Sequence, residues 1–542
     1  MHSPRRDLAA WTVAATFFAA YSAMAVNRHH SMRTAGYDLG IFEQAVRAYA
    51  HLRVPVAELK GPGFNVLGDH FHPVLVLLAP FYRLFPGPIT LLIAQALLLA
   101  WSAVPVTRLA TNLLGGRAGS CFGFGYGLSW GIQQAAAFDF HEIAFAVPLV
   151  ARSVELLAYR RWSAAARWAL PLLLVKEDQA LLVAAIGGYL FCLGKRRRLG
   201  ALIVTVAIVA GVVTVFVIIP AFSPGHVYPY AKQAAPDTAN PLLILFSPVD
   251  VKGWTLLALV APTLLFALRS PLILIAVPYI AARFWSGTPA YWGTGFHYSA
   301  VLMPIVFVAA VDGLRRARAG RAARVTEASG LAGAGGAGEL AKAGPAGGPA
   351  GASGAGELAK VSRAAGLAGV GRAGGLAKVN RAGGLAGVGR VVRAGRAVGA
   401  DGAVGAAEAQ VTRQVAPMAI LAFALTITAL GDQPLTRLVH PVDWQGRERF
   451  EPARKVLAAI PDGANVATSN RLAPQLTHRC RVFRLVLPSP SWPLPEWVAV
   501  ASSRPFPKPS RTDLETIGRL PRLGYRVVER GGGVVIYRRT AR

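Results

Sequence analysis

Carboxylates and imidazoles recur in this chain as short clusters beside apolar runs: Tyr37-Asp38-Leu39-Gly40, Gly68-Asp69-His70-Phe71-His72-Pro73, Phe138-Asp139-Phe140-His141-Glu142 and Lys176-Glu177-Asp178. Asp38, followed a little over one helical turn later by Glu43, is a candidate general base that would take a proton from an acceptor hydroxyl. It also precedes a helical pattern that begins at Leu39, which is the place of an N-cap, and a capping carboxylate can serve both roles. Asp69, His70 and His72, joined by Asp139, His141 and Glu142, carry nitrogen and oxygen donors that suit Zn or Mn, so a divalent metal is compatible with them. Their spacing matches no standard metal motif such as His-Glu-x-x-His, and the competing expectation is hydrogen-bonded polar groups lining a cavity. Lys176 can hold a lipid phosphate as a point charge, or pair internally with Glu177 or Asp178. His297 adds one more polar group at the mouth of a span, whereas Trp285, Tyr291 and Trp292 are expected to be interfacial anchors.

The elements that must position these groups are membrane spans. Of the 542 residues 54% are hydrophobic and only 15% charged, with a mean hydropathy of +0.42, well below the roughly one-quarter charged share of soluble domains. The net charge of +30 is spread over short turns between apolar runs, which is an orientation signal and excludes a nucleic-acid interface. Cys121, Cys192 and Cys480 are too scattered for a disulfide framework or a thiolate metal site. The first span, about Leu8–Val26, reads as an uncleaved signal anchor that delivers an outer loop, 27–72. Within that loop Leu39, Phe42, Ala45, Val46 and Tyr49 predict a short amphipathic helix along the interface. Val74–Phe85, closed by Pro86-Gly87-Pro88, is expected to be a re-entrant half-span.

Further spans are expected at about 89–110, 118–136, 143–158, 163–175, 179–193, 199–220, 254–268, 271–284, 299–314 and 416–430, eleven in all. The basic turns at Arg108 and Arg117, Arg160-Arg161 and Lys195–Arg198 then face the cytoplasm, and every chemical cluster faces outside. Counting Val74–Phe85 as a full span would invert that agreement. Residues 315–413 hold 15 Lys and Arg against 5 Asp and Glu in an Ala/Gly background, with Ala-Gly-Glu-Leu-Ala-Lys at 337–342 and again at 355–360. This segment is expected to be a disordered cytoplasmic insert. After the last span, within 414–432, residues 433–542 are expected to form a small extracytoplasmic α/β domain. It would have helices at 451–459 and 513–520, strands at 465–468, 481–487 and 497–501, and a hairpin of 525–529 with 534–538. The expected fold class is thus mainly α: a polytopic transmembrane helical bundle, 1–314, with that α/β domain appended.

Tyr-Asp-Leu-Gly-Ile-Phe-Glu-Gln at 37–44, Gly-Asp-His-Phe-His-Pro at 68–73, Phe-Asp-Phe-His-Glu at 138–142, Lys-Glu-Asp at 176–178 and Phe-His-Tyr-Ser at 296–299 together resemble the bacterial membrane family called domain of unknown function 2079. The resemblance covers most of 10–314 and resumes through 416–542, with Ile-Pro-Asp-Gly-Ala at 460–464 and Leu-Gly-Tyr-Arg-Val-Val at 523–528. The Ala/Gly insert departs from the family. So does Glu142, where the family commonly has Pro, and the resemblance therefore gives Glu142 no catalytic part. The family is similar in layout to type C (GT-C) glycosyltransferases, which draw sugars from polyprenyl-phosphate donors and use an acidic residue of the first outer loop. Asp38 matches that residue by position. The resemblance implies a bacterial plasma-membrane enzyme that takes sugar from a polyprenyl-phosphate donor in the outer leaflet, and the basic turns place its N-terminus in the cytoplasm. Asp38 would be catalytic, and Glu43, Asp69, His70, His72, Asp139, His141, Lys176, Glu177, Asp178 and His297 would contact substrate. The alternatives are a transporter or flippase for a lipid-linked or small polar solute, which needs a route to both faces, and a membrane-anchored binding protein.

Overall fold

The computed structural model describes residues 4–231, 240–342, 415–429, 431, 433–487 and 494–540. The chain divides into two compact units, Met1–Arg316 with Arg413–Arg542, and Ala317–Thr412. The first unit carries every chemical cluster.

Three described helices are long and apolar enough to cross a bilayer: Asp7–His30, Pro88–Leu114 and Arg197–Phe222, of 24, 27 and 26 residues. Most of the other expected spans are helical but shorter or broken. Residues 118–136 are two helices, Gly116–Gly127 and Trp130–Ala137. Residues 143–158, 163–175 and 271–284 are each a 3-10 turn joined to a helix, with Pro148, Pro171 and Pro278 inside the apolar run. Proline removes an amide donor and clashes with the preceding turn, so the helix breaks there even where the apolar run continues. The eleven expected full spans are therefore not matched one for one by unbroken helices. The re-entrant segment is a 3-10 turn, Pro73–Leu78, leading into the short helix Ala79–Leu84.

The bundle core is aliphatic and aromatic. Phe17 and Tyr21 of the first helix, α1 (Pro4–His30), meet Phe122, Tyr126 and Phe307, all nearly or fully buried, and the Tyr21 hydroxyl donates to the Gly127 carbonyl at 2.6 Å. Buried Glu155 accepts both Arg108 guanidinium bonds at 2.8 Å, so Arg108 is a clamp between helices rather than a turn residue.

The amphipathic helix of the first loop is α2 (Ile41–Ala50), and it does not lie alone on an interface. Its Phe42, Val46 and Ala50 share a core with Leu75, Leu78, Tyr82 and Leu91, while Ile41 and Ala45 belong to the core that holds Phe450, Ala453 and Leu476 of the C-terminal domain. Apolar residues on two faces explain the difference: one face meets the re-entrant segment and the other meets the C-terminal domain.

That domain is a five-stranded sheet in the order β2-β1-β3-β5-β4, from β1 (Asn465–Thr468), β2 (Arg481–Arg484), β3 (Trp497–Ala501), β4 (Tyr525–Gly531) and β5 (Val534–Arg539). β1 runs parallel to β2 and β3, and β5 runs antiparallel to β3 and β4. Both faces of the parallel part are covered, as continuous apolar strands demand: Val466 and Val482 face one core, Ala467 and Phe483 the other.

Part of the expected insert lies within the described residues. Residues 315–342 continue the helix Leu302–Lys342. Once nucleated by the span, a helix propagates cheaply through Ala and Arg, both strong helix formers. The remainder of the expected disordered insert, 343–413, lies outside the described residues.

Candidate active site

Asp38 sits in a backbone conformation that L residues avoid, with φ 73° and ψ −88°. Such a conformation costs on the order of 1–3 kcal/mol and persists only where neighbours hold it. Here they do. The Ala35 amide donates to Asp139 Oδ2 at 2.6 Å, the Gly36 amide to the Asn470 carbonyl at 2.7 Å, and the Tyr37 amide to Asn470 Oδ1 at 2.9 Å. Gly36 is required by close approach, since a Cβ there would lie 2.6 Å from Cβ of Ala473. The helix cap expected of Asp38 is not made: the residue before α2 is Gly40, and no side chain caps it. The cap fails because the Asp38 backbone turns away before the helix begins. Burial raises the Asp38 pKa; His141, Lys176 and Lys60 pull it down, and Glu142 adds to the rise.

A cavity of about 420 Å³ lies among the other clusters, lined by His70, His141, Lys176, Glu177, Asp178 and His297. That volume falls in the roughly 300–1,000 Å³ range of small-molecule sites. Six aromatic side chains complete the wall, Tyr228, Tyr230, Tyr279, Trp285, Tyr291 and Tyr298, together with Arg283. Tyr291 and Trp285 thus face the cavity, contrary to the expected interfacial anchors, because the loop 286–298 folds back over the site. Trp292 instead donates to the Ser286 carbonyl at 2.7 Å.

The polar groups form a connected set. His70 Nδ1 meets Glu177 Oε1 at 2.6 Å and stacks on Tyr230 with ring centroids 4.5 Å apart. Burial would lower the His70 pKa, but the Glu177 carboxylate outweighs it and the net shift is upward. Burial would raise Glu177, but the same partner and Lys176 bring it down to about 2. Asp69 is held by Lys60 at 2.9 Å and by the Tyr230 hydroxyl at 2.8 Å. Asp178 accepts from the Tyr279 hydroxyl at 3.2 Å, and burial raises its pKa. His141 and His297 stack with centroids 3.5 Å apart. The buried Nδ1 of His297 has no hydrogen-bond partner among the described residues, and burial beside His141 keeps this imidazole neutral.

Asp38 and four of the expected contacts, Asp69, Glu43, His72 and Asp139, stand back from the cavity wall. Glu43 is fully buried between Tyr82, at 2.9 Å, and Thr477, and burial pushes its pKa up to about 7. Its place is structural, joining α2 to the re-entrant segment and to the C-terminal domain. His72 is buried edge-on to Phe42, and burial takes its pKa down to about 4. Asp139 braces the Asp38 loop and lies 3.6 Å from Arg28; burial raises its pKa to about 6.

Glu142, which the family pattern set aside, is 0% exposed and central. Its Oε1 lies 3.0 Å from Lys176 Nζ and its Oε2 lies 2.9 Å from His141 Nδ1. Burial would raise its pKa, but His141 and Lys176 hold it well below the usual range. Lys176 is correspondingly engaged; Arg283 on the cavity wall donates instead to the Tyr291 and Gly293 carbonyls and to Ser299 Oγ, and has no carboxylate partner among the described residues. Among the described residues no three His, Cys, Asp or Glu side chains converge as metal ligands would. His70 with Glu177 and Asp139 with Arg28 are separate pairs, so the donors proposed from sequence do not fit one metal shell.

A membrane-bound helical bundle with one aromatic and ionisable cavity under a strained acidic loop defines the class. The family "Predicted membrane protein (DUF2079)" matches residues 28–329, and the chain belongs to it. Two crystal structures of ArnT from Cupriavidus metallidurans share the fold, each with a TM-score of 0.50 over 96% of this chain and 97% of that one. One, 15% identical, is bound to undecaprenyl phosphate; the other, 14% identical, is in the apo state. No curated protein matches the chain. At such identity the likeness is one of fold alone.

Proposed function

We propose that this protein is an integral membrane glycosyltransferase that draws its sugar from a polyprenyl-phosphate donor. The observation that carries the reading is the cavity itself. Tyr and Trp rings offer apolar faces to a sugar ring, while Glu177, Asp178, His141 and His297 offer hydrogen bonds to its hydroxyls. The shared fold with ArnT, crystallised with undecaprenyl phosphate, supports a lipid-linked donor.

In this reading the Asp38 carboxylate takes the proton of the acceptor hydroxyl as the oxygen attacks the anomeric carbon. The bond from that carbon to the phosphate oxygen breaks, and polyprenyl phosphate leaves with the bonding pair. Arg283 and Lys176 offset the charge that develops on the leaving phosphate. The pair Glu142–Lys176 fixes that ammonium, so the cation needs little rearrangement as the bond breaks.

Lipid analysis of a strain lacking the protein tests the proposal. The expected result is an accumulated polyprenyl-phosphate sugar and a missing glycoconjugate. Unchanged lipids and surface glycans would overturn it in favour of transport or binding.

A further inference from the structure

A second cavity, of about 690 Å³, shares no wall residue with the first and has the opposite character. Arg28, Arg33, Arg437, Arg449 and Arg471 line it, with Asp443 as the lone carboxylate. Asp443 is already taken by Arg33 at 2.5 Å, and Arg28 leans on Asp139 at 3.6 Å. Arg437 and Arg471 are half-buried, Arg449 is exposed, and none of the three has a carboxylate partner among the described residues. Arg437, Arg471 and Arg33 all act on Arg28 as like charges. Crowded cations without counter-charge repel one another, and an anion placed among them relieves that repulsion. Guanidinium forks match the paired oxygens of phosphate, and Pro505, Phe506 and Pro507 close one side of the cavity with apolar surface.

The position is as informative as the charge. Arg471 directly follows Asn470, whose carbonyl and Oδ1 hold the two amides just before Asp38. Arg28 pairs with Asp139, which braces the same loop through Ala35. We propose that this cavity is an oxyanion site that binds a phosphate-bearing ligand beside the Asp38 loop, separate from the sugar pocket. Its role as the acceptor's site rests on the transfer reading above; the anion site itself does not.

The test is calorimetric titration of inorganic phosphate into the full-length protein in nanodiscs of neutral phosphatidylcholine, repeated in discs containing phosphatidylglycerol. Saturable binding is expected in the neutral discs. The double variant Arg437→Gln, Arg471→Gln should weaken it by about tenfold per arginine, the value of a charge-assisted hydrogen bond. Neither arginine makes an ion pair with a carboxylate among the described residues, so their removal breaks no ion pair there. Arg526→Gln, an exposed arginine of β4 outside the cavity, should leave binding unchanged. Phosphatidylglycerol that blocks the titration identifies a lipid headgroup as the ligand's source, and a titration that survives identifies a soluble one. No saturable binding in neutral discs, or binding unaltered in the double variant, overturns the site. Full turnover in Asp38→Asn with phosphate binding intact would sink the transfer reading and leave the oxyanion site standing.

Discussion

Asp38 couples backbone strain to a half-buried carboxyl, and the two have opposite consequences when the residue is changed. Asp38→Asn keeps the shape and removes the base. Turnover at saturating donor should fall by about 10²–10⁴ in equally folded protein. Since Asp38 caps no helix, a loss of stability is not available as the explanation, and near-normal turnover would show the residue to be a bystander. Asp38→Gly should abolish turnover too, yet raise the thermal stability in detergent. Glycine adopts φ 73° freely, and the relief of strain, less glycine's own entropy, is on the order of 1 kcal/mol. The pH profile carries the same information. A base works deprotonated, so turnover is present above its pKa and is lost as pH falls through it. Burial lifts the Asp38 pKa above 3.8, so the acid limb of kcat should lie above that value. A limb at or below 3.8 would assign the base elsewhere.

The loop that carries Asp38 is held from a distance of more than 400 residues along the chain, and here sequence reading meets its limit. The strands β1 to β5 are legible from alternation and glycine punctuation. α2 is legible from Leu39, Phe42 and Val46, because periodicity is a local property. The clusters at 68–72, 138–142 and 176–178 are legible because ionisable groups beside apolar runs are costly unless used. What joins them is not. Nothing local in Asn470 marks it as the acceptor of the Gly36 and Tyr37 amides, and Glu142 looks like a departure until Lys176 and His141 stand beside it. Tyr228 and Tyr230 left a weak signal, an aromatic-rich outer loop, and Arg283 a stronger one, a cation at the end of an apolar run. Asn470→Ala measures this element directly. It removes one hydrogen bond, about 1 kcal/mol, and frees the loop; misplacement of a base by an ångström costs roughly 10²-fold. The expected result is a fall in kcat with donor KM little changed. A matching fall in donor affinity, or no change at all, would make Asn470 merely a contact between domains.

At the scale of the whole chain, two groups of charges keep apart. Arg160, Lys195, Arg315 and Arg316 gather around one cavity, while His70, His141, Lys176, Glu177, Asp178 and His297 gather around another. The positive-inside rule assigns the first group to the cytoplasm and the second to the outer face. The site lies in the unit Met1–Arg316 with Arg413–Arg542, so deleting residues 325–410 should leave assembly and turnover intact. Changing the length of a connection alters its closure by only about 0.6 kcal/mol per twofold. Loss of expression or turnover on that deletion would make the segment a working part. Sidedness itself is decided by cysteine labelling of intact cells in a background with Cys121, Cys192 and Cys480 replaced by Ser. Pro62→Cys and Gly225→Cys, at exposed positions of loops expected to lie outside, should react with an impermeant thiol reagent. Ser163→Cys, exposed beside Arg160 and Arg161, should react only after permeabilisation. Because His70, His141, Lys176, Glu177, Asp178 and His297 line one cavity, the three positions together test the face on which that cavity opens. Labelling of Ser163→Cys in sealed cells would invert the molecule and place the cavity on the cytoplasmic side, out of reach of a donor in the outer leaflet.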